Sequence, residues 1–382
     1  MLRILENKGC MGCSACASQC PARCITMEAD AEGFLHPRVD ASRCLSCNLC
    51  EKVCPVIHPL PTNDFPEAYA AINLDREIHM QSSSGGIFSL IAMHFINNGG
   101  VVFGVGWDSE FNAIHMAAHI KEELSALRGS KYVQSRIGNA YIEAKELLEK
   151  GVPVYFTGTP CQIQGFKKFL NKDYPHLMLQ DIICHGVPAP KAFRKYVEHQ
   201  CKTLGAIPTK ISFREKEQSG QAYCISFSFE NRACYRCVSG KDPYMKAFLR
   251  EYTLRPSCYE CKFKGIERVS DFTLADYWGI EHVHPDFLRD GGVSLVFVHS
   301  EKGKKLWREL KEELCAMETD AKQAVLYNPS AVRSAKKPAN RDSFMKALDH
   351  MPFPKVVDKY CRDSLVLRAK RKIKAIVKKI LH

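Results

Sequence analysis

What the chain has little of narrows its class first. No apolar run reaches the length of a membrane-spanning helix. No charged-then-apolar leader opens it: Met1-Leu2-Arg3-Ile4-Leu5-Glu6 soon reaches Lys8 and Cys10, so a secretory signal is not expected. No solenoid-type period runs through its 382 residues. Acid is missing from the end. After Asp363 come Arg368, Lys370, Arg371, Lys372, Lys374, Lys378 and Lys379, so residues 365–382 carry seven positive charges of a net +12. The rest of the chain is near balance, and the charge makes no case for a nucleic-acid-binding body. Cysteine is abundant instead, with 19 in all and nine within the first 54 residues. Without a leader, thiols this dense favour a cytoplasmic setting and metal ligation over disulfides. At 46% hydrophobic and 25% charged the composition is globular, and the length allows two or three domains.

Eight of the nine early cysteines fall into two nearly identical runs. Cys10-x2-Cys13-x2-Cys16-x3-Cys20-Pro21 is followed by Cys44-x2-Cys47-x2-Cys50-x3-Cys54-Pro55. This is the bacterial two-cluster ferredoxin spacing, in which the fourth cysteine of each run ligates the other cluster. Cys10, Cys13, Cys16 and Cys54 are expected to hold one [4Fe–4S] cluster; Cys44, Cys47, Cys50 and Cys20 are expected to hold the second. Zinc sites and disulfides also use cysteine pairs, but zinc sites typically pair two short C-x2-C units rather than repeating a run of four with a trailing proline. Cys24 lies outside the pattern and reads as a buried apolar thiol. The chemistry indicated is single-electron transfer.

Four segments follow from punctuation and periodicity: a two-cluster ferredoxin-type domain over 1–60, a mixed α/β body in two parts over 61–155 and 156–330, and a helical basic tail over 331–382. The first ends at the proline-rich His58-Pro59-Leu60-Pro61. Strand and helix patterns then alternate, with helices over Gly86–Asn97, Gly138–Lys150, Pro160–Leu170 and Ala192–Leu204 and strands between them. Ile225-Ser226-Phe227-Ser228-Phe229 alternates with period two, which predicts antiparallel strands between Ile211 and Cys237. Lys304–Cys315 reads as a further helix. The fold class expected is therefore α+β and α/β: a ferredoxin-like domain, then a mixed α/β body with an antiparallel part.

Several loops carry further chemistry. Ser82-Ser83-Ser84-Gly85-Gly86 precedes a helix and suits either a cradle for a cofactor phosphate or flavin edge, or an ordinary capped helix. Gly158-Thr159-Pro160-Cys161-Gln162 leads from a strand into a helix, with Cys161 in the first turn where the dipole favours a thiolate. Cys184, in Asp181-Ile182-Ile183-Cys184-His185-Gly186, also ends a strand, at the sheet edge where α/β proteins bind ligands. Cys258-x2-Cys261 suits zinc, a disulfide switch or half a cluster site. The preferred reading joins Cys161, Cys184, Cys258 and Cys261 in a third [4Fe–4S] site, with Cys234-x2-Cys237 as the competing pair. Cys201, Cys315 and Cys361 are isolated. Lys131-Tyr132-Val133-Gln134-Ser135 offers a cation and an aromatic ring for a phosphate and a planar ligand, and Asp276 is either a ligand-facing carboxylate or a turn cap. In the tail, Val366, Ala369, Ile373, Ile376, Val377 and Ile380 recur at helical spacing. That pattern suits an anionic membrane surface, an acidic partner, or a solvated terminal helix.

The order of motifs resembles the family of coenzyme F420 hydrogenase/dehydrogenase beta subunits over about residues 1–330. The discriminating segments are Ser83-Ser84-Gly85-Gly86, Lys131-Tyr132-Val133-Gln134-Ser135, Gly158-Thr159-Pro160-Cys161-Gln162, Cys184-His185-Gly186-Val187-Pro188, Ser212-Phe213-Arg214, Cys258-x2-Cys261 and Ser270-Asp271-x3-Ala275-Asp276-Tyr277-Trp278-Gly279. The resemblance implies FAD alongside the clusters. On that basis Ser83, Ser84, Gly85, Gly86, Lys131, Tyr132, Gln134, Gly158 and Thr159 are the expected cofactor-binding residues, and the body is expected to be flavin-binding. It also implies a redox protein such as ferredoxin, or a partner subunit, as electron donor, and a small-molecule acceptor such as a deazaflavin. No residue is singled out for proton transfer. Two other readings remain open here: an electron-transfer adaptor without a substrate site, and a zinc-stabilised regulatory domain fused to a ferredoxin.

Overall fold

The computed structural model describes residues 9–216 and 223–362. Its N-terminal segment is a hairpin flanked by two cysteine loops. β1 (Ile25–Ala29) and β2 (Leu35–Val39) pair antiparallel with Ile25 opposite Val39. Each loop runs into a short helix, α1 (Ala15–Gln19) and α2 (Leu49–Lys52). The sequence repeat is also a backbone repeat: Gly12 and Ser14 have positive φ in the first loop, as do Ser46 and Asn48 at the matching places in the second. Left-handed residues alternating with right-handed ones curl a chain into a concave nest of N–H groups, which suits an anionic centre. Gly12 is required twice over. Its φ is +68°, and a Cβ there would lie 2.8 Å from Gln134 Nε2 and 2.9 Å from Arg255 Nη1.

The body is built on an eight-stranded sheet and a three-stranded one. In chain order the larger sheet takes β3 (Glu67–Asn73), β4 (Val101–Trp107), β5 (Ala113–Ala118), β6 (Val154–Thr157) and β7 (Leu177–Ile182). The smaller sheet follows, with β8 (Pro208–Lys216), β9 (Tyr223–Phe229) and β10 (Cys234–Val238), all antiparallel as the period-two pattern predicts. The chain then returns to the larger sheet for β11 (Phe272–Asp276), β12 (Ser294–Val298) and β13 (Leu314–Glu318). The order is β13-β3-β12-β11-β7-β6-β4-β5. The pairings make β3, β11, β7, β6 and β4 run one way and β13, β12 and β5 the other.

Helices α3 (Ile87–Asn97), α4 (Ala140–Glu149), α5 (Pro160–Leu170) and α6 (Pro190–Leu204) match the predicted ones within a few residues. The pleat of β6 sorts them between the two faces of the sheet. Val154 and Phe156 join a core with Tyr141 of α4, Phe166 of α5 and Cys16 of the N-terminal segment. Tyr155 joins the opposite core with Phe95 of α3 and Trp307. The smaller sheet packs against α6, α7 (Pro243–Leu249) and two C-terminal helices through Phe193, Phe227, Tyr244, Phe344 and Phe353.

One predicted helix is shorter than expected. α8 spans Glu301–Glu309, opened by Ser300 Oγ accepting from Gly303 N, whereas Leu314–Glu318, including Cys315, is strand β13. The edge of β3 offers unpaired backbone groups, and pairing there outweighs the weak helical pattern beyond Leu310. The last described helices are α9 (Arg341–Ala347) and α10 (Phe353–Tyr360). The apolar pattern of 366–380 lies outside the described residues. Among the described residues, no helix is long and apolar enough to cross a membrane.

Candidate metal centre

The five co-directional strands bring their carboxyl ends to one edge of the sheet. Gly158, Thr159 and Cys161 follow β6, Cys184 follows β7, and Asp276 ends β11. The amino end of β12, Ser294, reaches the same edge from the other direction. Loops at that edge can converge on a common ligand without distorting the sheet.

The N-terminal cysteines form two groups. Cys13 and Cys16 lie close enough to Cys10 and Cys54 that charge on any one opposes charge on the others, and burial raises both thiols further. Cys10 behaves differently. Burial opposes its ionisation, but a hydrogen bond from His36 and the charge of Arg255 bring it below the ordinary thiol range. Burial raises the Cys54 thiol, and backbone N–H groups of Ile57 and Val56 offset this only in part. In the second group, Cys20, Cys44, Cys47 and Cys50 line a cavity of about 330 Å³, partly open to solvent, with Leu45 and Cys47 exposed. Cys24 lines the same cavity, its Sγ 3.4 Å from Cys20 Sγ, which raises the Cys24 thiol to about 11. It is buried, as expected, yet it is part of the thiol group rather than an isolated core residue.

A third thiol group lies in the body. Cys161, Cys184, Cys258 and Cys261 line one cavity of about 530 Å³, partly open to solvent, together with Met11, Gln134, Lys264 and Arg268. Each is placed by a distinct local device. Cys161 occupies the first turn of α5, where a capping box between Thr159 and Gln162 fixes the helix start and Thr159 Oγ1 lies 3.2 Å from Cys161 Sγ. Cys184 is held by Lys264, whose Nζ donates to Cys184 O at 2.5 Å and Ser330 O at 2.8 Å. Cys258 sits on a tight turn over Pro256–Glu260, and Cys261 Sγ accepts from Phe263 N at 3.4 Å. Burial raises the Cys161 and Cys258 thiols and, with the nearby Cys258, lifts Cys184 to about 12. Four thiols in one cavity repel one another as thiolates unless a cation shares their charge.

The third group adjoins the first. Met11, Cys54, Val56 and Phe263 form one apolar cluster onto which Cys161 and Cys261 pack. Gly165 of α5 leaves room for Cys13, whose Sγ would be 3.0 Å from a Cβ at that position. The competing pair is elsewhere. Cys234 and Cys237 lie on β10, an outer strand of the smaller sheet, Cys234 is exposed, and each Sγ turns to the carbonyl of its own next residue.

The residues expected to hold a flavin divide between two places. Ser83 Oγ accepts from Ser130 N at 2.9 Å, next to Lys131 and Tyr132. Lys216 Nζ donates to Ser84 O at 2.8 Å and His79 O at 2.5 Å, tying the serine loop to β8. Gly85 is packed against the sheet: a Cβ there would be 2.3 Å from Ala71 O. Gly86, at φ +85°, opens α3 without a side-chain cap. Beside this loop, Arg214 pairs with Asp276 and lies 3.9 Å from the Tyr223 ring centroid, with Trp278 half exposed beyond it. Arg214 Nη2 is buried without a hydrogen-bond partner among the described residues. Gln134, Gly158 and Thr159 instead belong to the neighbourhood of the thiol cavity. Gln134 Nε2 donates to Met11 O at 3.0 Å, and Gly158 and Thr159 lead into Cys161.

Met11, Lys264, Arg214 and Arg255 were not identifiable as site residues from sequence. Arg214 stood in a motif without an assigned role, Lys264 marked only the basic context of Cys258-x2-Cys261, and Met11 and Arg255 carry no local pattern that sets them apart from structural residues.

Comparison with known proteins matches the chain in two segments. Residues 9–57 match a 4Fe-4S dicluster domain, and residues 153–323 match the family model for the C terminus of the beta chain of coenzyme F420 hydrogenase/dehydrogenase. The F component of the F(420)H(2) dehydrogenase of Methanosarcina mazei, named as one of its subunits, is 24% identical over 335 residues, spanning 82% of this chain and 86% of that protein. The I component of the NADH-quinone oxidoreductase of Pelobacter propionicus is 39% identical over 54 residues, covering 12% of this chain and 29% of that protein. A chain of the F420-reducing [NiFe] hydrogenase complex from Methanosarcina barkeri superposes with a TM-score of 0.47 at 18% identity, covering 78% of this chain and 91% of that one. The chain thus carries a 4Fe-4S dicluster domain followed by a region that matches the C terminus of coenzyme F420 hydrogenase/dehydrogenase beta subunits, in the order the motifs foretold.

Proposed function

We propose that the protein is an iron–sulfur flavoprotein oxidoreductase. It relays electrons between [4Fe–4S] clusters and FAD and exchanges hydride with a small organic acceptor, a deazaflavin coenzyme or a molecule of similar chemistry. The observation that carries the reading is the convergence of Cys161, Cys184, Cys258 and Cys261 on one cavity that shares Met11 with the Cys10 group. All-thiol donor sets suit iron–sulfur centres. Cys10, Cys13, Cys16 and Cys54 would hold one cluster, Cys20, Cys44, Cys47 and Cys50 the second, and the body thiols the third.

When bound, the clusters supply one-electron exchange and FAD joins it to hydride chemistry. The chain's own part is placement. Cys47 and Leu45 are exposed, whereas the Cys10 group lies between the outer thiols and the body cavity, so the natural order of transfer is from surface to interior. Ser83, Ser84, Lys131 and Tyr132, with Arg214, Tyr223 and Trp278 opposite, would hold the flavin at the carboxyl edge of the sheet. The unpartnered Arg214 Nη2 is suited to an anionic or carbonyl group of that ligand. A redox protein such as ferredoxin, or a partner subunit, would meet the exposed outer thiols, and the relative from Methanosarcina mazei is itself named as a subunit. The density of free thiols supports a cytoplasmic place for this chemistry.

Anaerobic purification followed by iron, sulfide and flavin analysis tests the reading. About twelve iron per chain and one FAD are expected. A protein that takes up no flavin after reconstitution with FAD is not this enzyme.

A further inference from the structure

Arg255 is 1% exposed, yet no Asp or Glu among the described residues pairs with it. Its Nε donates to Cys10 O at 2.9 Å, Nη1 to Gln134 Oε1 at 2.8 Å, and Nη2 to Leu35 O at 3.0 Å. The guanidinium also lies 5.2 Å from the Phe34 ring centroid and meets the His36 ring at 3.2 Å. The other deeply buried arginines differ: Arg214 faces Asp276, Arg268 faces Asp181, and Arg341 faces Glu32. A guanidinium stays charged in any protein environment, and a buried charge without an opposite one costs several kcal/mol. Carbonyl and amide oxygens satisfy its donors but not its charge.

The anionic groups within its reach are thiols. Arg255 follows Leu254 into the turn that carries Cys258, three residues away, and its charge acts on both Cys10 and Cys258. Ser257 Oγ, on the same turn, donates to Cys10 O at 2.9 Å. The guanidinium thus stands between the Cys10 group and the body cavity, and Gly12 leaves the space it needs.

We infer that Arg255 is a shared positioning residue and counter-charge for two cluster sites, those of Cys10/Cys13/Cys16/Cys54 and Cys161/Cys184/Cys258/Cys261, and that it raises their reduction potentials relative to the Cys20/Cys44/Cys47/Cys50 site. This inference rests on the cluster assignment proposed above. A cluster with four thiolates is anionic and gains one more negative charge on reduction, so a fixed cation beside it favours the reduced form. The outer site lies beyond the hydrogen bonds of Arg255. A cluster held at either inner site would then be easier to reduce than one at the outer site, which would favour one-electron transfer inward with no bond made and no proton moved. Arg255 would bias electron transfer inward as well as fix the register of the N-terminal segment on the body.

Arg255→Met and Arg255→Lys, reconstituted anaerobically, test this by iron analysis and EPR-monitored redox titration. Arg255→Met with wild-type iron content should show two potentials shifted negative and the third unmoved, and Arg255→Lys should recover most of the shift. If Arg255→Met does not retain iron, Arg255→Lys carries the test: a smaller negative shift confined to the same two centres supports the assignment. Full iron with no potential moved, or all three moved equally, overturns it. A wild-type protein holding only about eight iron would instead remove the third cluster, and with it the reading on which this inference stands.

Discussion

The Arg341 guanidinium grips the Glu32 carboxylate with both of its terminal nitrogens, joining α9 to the turn of the N-terminal hairpin. Arg341 is 1% exposed, and Nη2 also reaches Leu254 O at 2.7 Å, next to Arg255. The pair therefore clamps the ferredoxin-like segment and the Cys258 turn together.

Removing one partner of a buried pair strands the other charge. Arg341→Ala should cost about 3 kcal/mol of stability, the low end of the usual range because Glu32 keeps some access to water. Glu32→Ala should cost at least as much, since it strands the more buried partner. Denaturant titration of the reconstituted protein checks this; a loss under about 1 kcal/mol in both variants would show that the clamp carries little of the docking.

Cys258→Ala should lower iron by about four per chain while the N-terminal cluster signals survive. Iron and sulfide analysis with EPR of the reduced protein reads both. Unchanged iron would remove Cys258 from the ligand set, and loss of every cluster signal would mean that the turn is needed for folding rather than for one centre.

Cys24 is near enough to Cys20 to take its place. Cys20→Ala should therefore lose less than one cluster's iron, whereas Cys20→Ala/Cys24→Ala should lose about four iron per chain. Equal losses in the single and double variants would restore Cys24 to the role of a plain core thiol.

Lys131 donates to Ala126 O and Arg128 O, each at 2.9 Å, and burial lowers its ammonium to about 7. The folded protein then prefers the neutral amine. Between pH 7 and the ordinary lysine range, the unfolded chain binds a proton that the folded chain has released, so stability rises with pH across that window. The urea midpoint should climb from pH 7 to pH 9 in the wild type relative to Lys131→Met. Parallel midpoints in the two proteins would mean that Lys131 stays charged in the fold.

Much of this arrangement was legible from residue order because it is local. Ligand spacing within a cysteine run is set by a few consecutive backbone dihedrals, so the two runs announced their loops. Helix α5 was readable to the residue, since Pro160 marks its start. The end of α8 was not, because the competing strand pairing with β3 comes from a segment over 200 residues away.

The sequence by itself determined that the chain is thiol-rich, that two cluster loops repeat, and that an α/β body follows with cysteines at its strand ends; each of these depends on neighbours along the chain. Only the tertiary structure decided that Cys161, Cys184, Cys258 and Cys261 face one cavity, that Cys24 joins the outer thiols, and that Gln134 bridges to Met11 instead of standing beside Ser83. It also decided that Arg255 and Arg341 are buried at the seam between the N-terminal segment and the body. These facts depend on which loops the eight-stranded sheet brings to one edge and on charge taken out of water by packing, and neither quantity is written in any short stretch of residues.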